Sequence, residues 1–251
     1  MTEVTEVTEA TGSAAAPGSA DASGRAFVDL HCHTRASFDS LASPEAVVRA
    51  AAARGLTHLA ITDHDRIDGA LRAREHAPAG LTVIIGEEVK TAEGDLVCLF
   101  LERPIRPGMS AAETIAAARE QGGLVGIPHP FDRFRNSLLR EAGLARLAGE
   151  VDWVEAWNAR VIGRAGNERA AAFAREHGLP GVAVSDAHSV LEVGVAYSIL
   201  SGDPSTPAGL RAALPTARLV SHRASYLVRG VTPLAKLVQR LRGNRRLEPV
   251  R

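Results

Sequence analysis

Phe27-Val28-Asp29-Leu30-His31-Cys32-His33-Thr34 is an apolar run that ends in two histidines two residues apart. Alternate residues of a strand share a face, so His31 and His33 point to one side and Cys32 to the other. On its own the pair is a weak signal, and its meaning depends on whether the pattern recurs. Apolar runs of strand length cover residues 27–32, 58–62, 81–86, 96–101, 124–127, 151–157, 182–185 and 195–200. Run after run finishes at a metal-capable residue: His31 with His33, Asp63 with His64, Glu88, His129, Glu155 with Asn158, and Asp186 with His188. Between many of the runs lie Ala-rich stretches of helical spacing. Ser43-Pro44-Glu45 opens one, with Ser43 as cap and Pro44 at the first helical position, and Gly55 closes it. Ser110 and Glu113 form the capping box of another, which ends before Gly122. Strand–helix alternation predicts a parallel α/β fold, and near-continuous apolar strands predict a sheet covered on both faces. Ligands gathered from the ends of many strands select a closed barrel, because an open sheet collects them at one switch point.

The bulk composition agrees with one sizeable globular domain. Of 251 residues, 45% are hydrophobic and 23% charged, with 29 basic against 29 acidic side chains. No run is long and apolar enough to span a bilayer, and no basic segment leads into an apolar core near the start, so neither a membrane span nor a secretory signal is expected. Two cysteines, Cys32 and Cys98, lack the spacing of a disulfide framework or a zinc knuckle. The expected compartment is the reducing cytoplasm. Residues 1–24 are rich in Thr, Glu, Ala, Ser and Gly and are expected to form a disordered extension. The catalytic domain is expected over 25–225, followed over 226–251 by a basic C-terminal helix and tail. From Arg223 onward there are eight Lys or Arg and one acid, and 232–242 reads as a basic amphipathic helix packed outside the barrel. Such a tail is either a solvated end or a surface for short nucleic acid or anionic lipid.

Asp186-Ala187-His188 repeats the two-residue spacing of the opening pair. A mixed set of imidazoles and carboxylates suits two or three divalent ions held close together, with carboxylates bridging between them. Such ions acidify a water and clamp the attacking and leaving oxygens of a hydrolysis.

Taken together, Asp29-Leu30-His31-Cys32-His33-Thr34, Ile61-Thr62-Asp63-His64-Asp65, Gly86-Glu87-Glu88, Ile127-Pro128-His129-Pro130-Phe131 and Ser185-Asp186-Ala187-His188 resemble the PHP (polymerase and histidinol phosphatase) family. The motifs stand in family order and span residues 27 to 225. The resemblance implies a distorted (β/α)7 barrel with its metal site at the C-terminal ends of the strands. It implies as metal ligands His31, His33, Asp39, His64, Glu88, His129, Asp186 and His188, with Glu87 ranked second to Glu88 as the bridging glutamate. Asp39, His64 and His188 would share one ion, and His31, His33, Glu88 and Asp186 another. The ions would be manganese, iron or zinc. The pattern departs at Asp95-Leu96-Val97-Cys98, where members with three ions carry a histidine. Either Asp95 serves as an oxygen ligand or the ion there is weakly held, so the count is two or three.

Phosphate chemistry needs positive charge beyond the ions. Arg35, Arg133, Arg135 and Arg160 all follow strand ends, and Arg forks match phosphate oxygens in pairs. Hydrolysis of a phosphate ester by an activated hydroxide is the expected chemistry, on a small metabolite, a nucleotide or a short oligonucleotide. His31 and His33 are expected at its centre, and Asp65 or a histidine is the candidate for protonating the leaving oxygen. The competing readings are an amidohydrolase-type C–N hydrolase, which also begins with His-x-His, and a non-catalytic metal-binding module. Only 4% of residues are aromatic, so base-stacking platforms are few and a small substrate is favoured over long nucleic acid. Oligomeric state is not legible.

Overall fold

The computed structural model describes residues 24–132, 135, 141–225, 228 and 230–246. The expected extension over 1–24 lies outside them apart from Gly24, as do Arg133 and the end of the tail. The first half of the chain runs β1 (Arg25–Asp29), α1 (Pro44–Ala53), β2 (His58–Ile61), α2 (Asp68–Glu75), β3 (Thr82–Lys90), β4 (Asp95–Leu99), α3 (Ala111–Glu120) and β5 (Leu124–Ile127). It continues with α4 (Glu141–Leu147), β6 (Trp153–Asn158), α5 (Ala165–Glu176), β7 (Gly181–Val184), β8 (Tyr197–Ser201), α6 (Pro207–Ala213), β9 (Arg218–Val220) and α7 (Val231–Leu241). The caps expected from sequence are present. Ser43 accepts from the Ala46 amide at 3.2 Å, and Ser110 and Glu113 bond reciprocally.

One nine-stranded sheet has the order β7-β6-β5-β4-β3-β2-β1-β8-β9 and curls into a nearly closed barrel. The continuations of β1 and β7 meet beyond the regular strands, where Cys32 bridges Ala187 in parallel and the Asp186 amide donates to the His31 carbonyl at 2.9 Å. At the other end of that seam β8 lies between the two, antiparallel to β1, with the Ser198 hydroxyl exchanging hydrogen bonds with Ala183 of β7. The seam therefore closes directly only at the end where the histidines stand.

The strand–helix alternation fails twice: no helix separates β7 from β8, which runs antiparallel to β1, and none separates β3 from β4, for a reason written in loop length. β3 and β4 are joined by residues 91–94 alone, too short for a crossover helix, so β4 runs antiparallel to both β3 and β5. Its first residue, Asp95, consequently lies at the same end of the barrel as the last residues of the parallel strands.

The barrel interior is filled by Val28, Leu30, Ala60, Ile84, Val97, Leu99, Leu124, Trp153, Val184 and Leu200, a layer separate from the apolar contacts between strands and helices. Trp153 is the largest of these, and it lies over Gly126 so closely that a Cβ there would overlap the indole. The plug fills the interior beneath the histidine end.

Helix α7 is not packed on the outside of the barrel wall. It lies across the histidine end, held by the buried Gln239 amide, which donates to the carbonyls of Arg35 (2.7 Å), Ser37 (3.0 Å) and Ser40 (2.7 Å). Asn244 beyond it donates to the Ala36 carbonyl at 3.0 Å. A loop with unpaired carbonyls beside the barrel mouth gives the helix a polar anchor there that the apolar face of the sequence did not announce.

Candidate metal centre

His31 and His33 bring their Nε2 atoms to 3.0 Å of one another. Glu88 Oε2 lies 3.3 Å from the first and 3.4 Å from the second, and Asp186 Oδ1 lies 3.8 and 3.5 Å from them. On the other side of His33 stand Asp39, His64 and His188, with Asp39 Oδ2 at 3.4 Å from His64 Nε2 and 3.2 Å from His188 Nε2. Two sets of ligand atoms result, His33–Asp39–His64–His188 and His31–His33–Glu88, each with all atoms within 4.8 Å of one another. Glu88 sits between them, because its Oε2 also lies 3.2 Å from His64 Nδ1 while its Oε1 lies 3.1 Å from His129 Nε2.

The residues fit a polynuclear centre on grounds of hydrogen bonding. Asp39 Oδ1, His64 Nδ1 and Asp186 Oδ1 are buried with no hydrogen-bond partner, a costly arrangement for polar atoms unless a cation satisfies them. The opposite edges of three rings are already fixed. His31 Nδ1 bonds Glu155 Oε1 at 2.6 Å, His33 Nδ1 bonds the Ser37 hydroxyl at 3.1 Å, and His188 Nδ1 bonds the Asp186 carbonyl at 2.9 Å. Each ring thereby turns Nε2 to the centre, as ligating histidines anchored through their other nitrogen do.

Electrostatics reinforce this. Burial alone would raise Asp186, Glu88 and Asp39, but Arg135 beside the first and the surrounding imidazoles beside the other two hold all three well below the ordinary carboxylate range. Glu155, Asp186 and Glu88 in turn outweigh burial and push His31 well above its ordinary value, so an ion binding at its Nε2 would displace a proton. Burial and the neighbouring His188 keep His33 neutral, the state a ligand needs.

The backbone around the centre is strained where ligands leave their strands. Asp65, His129 and Asp186 all have positive φ, at 56°, 27° and 50°, which non-glycine residues rarely adopt. A bulge in β6 between Glu155 and Trp157 turns both Glu155 and Asn158 inward. Asn158 Nδ2 then donates to Glu155 Oε2 at 2.8 Å and Asp186 Oδ2 at 2.9 Å. Asp63 is a scaffold, accepting from the Thr34 amide at 2.6 Å and hydroxyl at 2.7 Å to pin the loop that carries Asp39. Glu87 points through the opposite face of β3 to the Ile105 amide at 2.5 Å, so strand alternation leaves Glu88 alone facing the ligands.

A cavity of about 400 Å³ opens over the centre, lined by Asp39, His64, Glu88, His129 and His188 and by the cations Arg135, Arg160, Lys236 and Arg246. The structure sorts the sequence-derived candidates around it. Arg135 enters the cavity and pairs with Asp186 and with Asp132. Arg160 is buried at its wall, bonding Glu192 and the Thr232 hydroxyl, each at 2.7 Å. Arg35 is exposed and lines a different depression with Arg66, Arg72 and Arg242. Asp65 does not stand free at the rim. Its oxygens take the Lys90 amide at 2.7 Å and the Arg246 guanidinium at 3.1 Å. Asp95 lines the cavity but belongs to neither ligand set, and Arg246 forks onto it at 2.6 and 3.3 Å.

Lys236 and Arg246 were not singled out in sequence as cavity cations, and Glu155, read there as a metal-capable strand end, instead anchors His31. A carboxylate inside the apolar run 151–157 was the available signal for Glu155, since a buried charge requires a partner. Nothing local marked Arg246.

The PHP domain model matches residues 29–141, and the PHP-associated model matches residues 164–219. An uncharacterized protein of Methanocaldococcus jannaschii is 34% identical over 142 residues, which cover 52% of this chain and 81% of that one. A 65-residue stretch, 25% of this chain and 6% of the other, is 46% identical to the error-prone DNA polymerase of Cutibacterium acnes. Among solved structures, a two-domain protein of Bacteroides vulgatus containing a predicted PHP-like metal-dependent phosphoesterase superposes with a TM-score of 0.68 at 19% identity, over 86% of this chain and 70% of that one. At that identity the likeness speaks to fold.

Proposed function

The chain belongs to the PHP family, and from that premise we propose that it is a metal-dependent phosphoesterase acting on a small phosphorylated metabolite, a nucleotide or a short oligonucleotide. The observation that carries the reading is the pair of ligand sets sharing His33, with buried, unsatisfied oxygens of Asp39 and Asp186 aimed into them. Divalent ions of the manganese, iron or zinc class would supply an acidified water and charge neutralisation on the phosphoryl group.

The chain's own residues supply the rest. His31, His33, Glu88 and Asp186 would hold one ion and Asp39, His64 and His188, with His33 between, another; His129 stands ready on the far oxygen of Glu88. Arg135 and Arg160 bring guanidinium groups to the cavity, where they would orient the phosphoryl oxygens and oppose the charge that develops on them. Phe38 and Lys236 at the mouth, with the ammonium 5.4 Å from the ring centre, would contact the rest of the substrate. Arg135, Arg160 and Arg246 are paired with carboxylates, so Lys236 at the mouth, together with the ions, favours an anionic ester over a neutral amide. The cavity volume suits a small ligand.

The test is hydrolysis of generic phosphomonoesters, phosphodiesters, nucleotides and short oligonucleotides by manganese-reconstituted protein, with a dihydroorotate-like amide alongside. Phosphate release that disappears on chelation and in His31→Ala is expected. Full activity after chelation refutes the reading, and cleavage of the amide alone transfers it to C–N hydrolysis.

A further inference from the structure

Asp65 and Asp95 pose a problem that the ligand sets do not solve. Both are buried, at 2% and 3% exposure; Asp95 lines the metal cavity with Glu88, and Asp65 borders the adjoining depression beside His64. Two buried carboxylates brought together in this way need a cation. The cation present is Arg246, which arrives from the far end of the chain. Its Nε lies 3.1 Å from Asp65 Oδ2, and its two terminal nitrogens fork onto Asp95 at 2.6 and 3.3 Å. Burial opposes the charge on Arg246, but Asp95, Glu88 and Asp65 together more than restore it.

The placement is built, not incidental. Gln239 and Asn244 clamp the segment that bears Arg246 onto the carbonyls of residues 35–40, so the guanidinium is delivered to the two carboxylates by a short tether. A tether of a few residues gives an effective concentration on the order of millimolar, which a free ion at trace concentration does not match. A guanidinium is also more weakly hydrated than an ammonium, and its planar fork matches a carboxylate edge. Asp95 itself stands at this end of the barrel only because β4 runs backwards.

We infer that Arg246 is a built-in replacement for a third metal ion: its guanidinium fills the cation position between Asp65 and Asp95, and the chain holds two exchangeable ions, not three. This rests on the metal-dependent reading above and deepens it. The centre keeps a fixed single positive charge at that corner whatever the metal supply. The C-terminal segment is accordingly part of the active site.

Counting bound manganese by loss of the free-ion EPR signal in excess metal tests this without any assay of turnover. Wild-type protein is expected to bind two ions. Arg246→Met, which leaves the two buried carboxylates without their cation, is expected to bind three. Asp95→Asn is expected to stay at two, and it provides a reading should the methionine variant fold poorly. Three ions in the wild type, falling to two in Asp95→Asn, overturns the inference, and so does a count that remains at two in Arg246→Met. No bound ion in any of the proteins instead overturns the metal-dependent reading itself.

Discussion

Glu155→Gln is a change of one atom, and it should cost the protein much of its grip on metal. Glu155 Oε2 accepts two hydrogen bonds, from the His129 amide at 2.7 Å and from Asn158 Nδ2 at 2.8 Å. Its Oε1 faces His31 Nδ1 at 2.6 Å. A carboxylate can only accept, so His31 carries its proton on Nδ1 and offers the Nε2 lone pair to the ion. A glutamine has one accepting end. Placing its oxygen on the His129 and Asn158 donors keeps two hydrogen bonds, whereas the flipped orientation points an amide NH2 at both of them and leaves buried donors unmatched at about 1–3 kcal/mol each. The first orientation wins, and it turns the NH2 toward His31 Nδ1. The ring must then accept at Nδ1 and carry its proton on Nε2, the atom that lies 3.3 Å from Glu88 and points into the ligand set.

Loss of an anchoring partner of this kind costs about 10–100-fold in metal affinity, equivalent to roughly 1.4–2.8 kcal/mol. Competition with a coloured chelator measures it directly, and hydrolysis as a function of manganese concentration measures it again. The activation curve of Glu155→Gln should shift to higher metal while its plateau recovers most of the wild-type rate. Ion affinity equal to wild type would refute the argument, because Glu155 would then not be setting the tautomer of His31.

Gln239→Ala strips the donors from three carbonyls and should destabilise the 35–40 loop by about 1–3 kcal/mol, read as faster amide exchange across that loop and weaker binding at the ion shared by Asp39. Glu87 is pushed up to about 8 by burial, with Asp65 adding to the push and the Ile105 amide opposing it. Its folded form therefore keeps a proton that the unfolded chain releases above about 4.5, so stability drains as pH rises from there to about 8, and Glu87→Gln should gain on the order of 1–3 kcal/mol near pH 8 with the ion count unchanged. His58 is held down to about 4 by burial, against the pull of Asp203. The unfolded chain takes up a proton below about 6.5 that folded His58 refuses, so stability falls as pH drops through that window, and His58→Gln should flatten the acid limb of the urea midpoint.

The part of the molecule that was legible is the part whose information is local. His31 with His33, Asp63 with His64, and Asp186 with His188 are each read from two or three consecutive residues, because a strand end fixes side-chain direction within that span. The barrel followed from counting such ends, but the reversed β4 did not, because β3 runs on through the charged Glu87 and Glu88 to Lys90 and the link of residues 91–94 is short only once that is known. What the sequence withheld is long-range or conformational. Glu155 meets His31 across 124 positions, and Arg246 meets Asp95 across 151, with no periodicity to link either pair. Arg35 shows the reverse error: it follows the first motif directly, yet the turn that brings Asp39 inward carries Arg35 outward to another depression.

The positive φ angles at Asp65, His129 and Asp186 are the deeper case. Aspartate and histidine tolerate this region better than most side chains, yet glycine would relieve the strain at each place. The chain keeps the side chain and bears the strain. Such residues persist only where the surroundings over-determine them, and here the surroundings are hydrogen bonds: Asp65 to Lys90, the His129 amide to Glu155, and the Asp186 amide to the His31 carbonyl. Two of those tie one strand end to another across the barrel mouth. The same bonds that close the barrel at this end therefore hold the ligands in strained positions. For that reason substitutions of Glu155, although it is no ligand in either set, should be felt at both ends of Glu88.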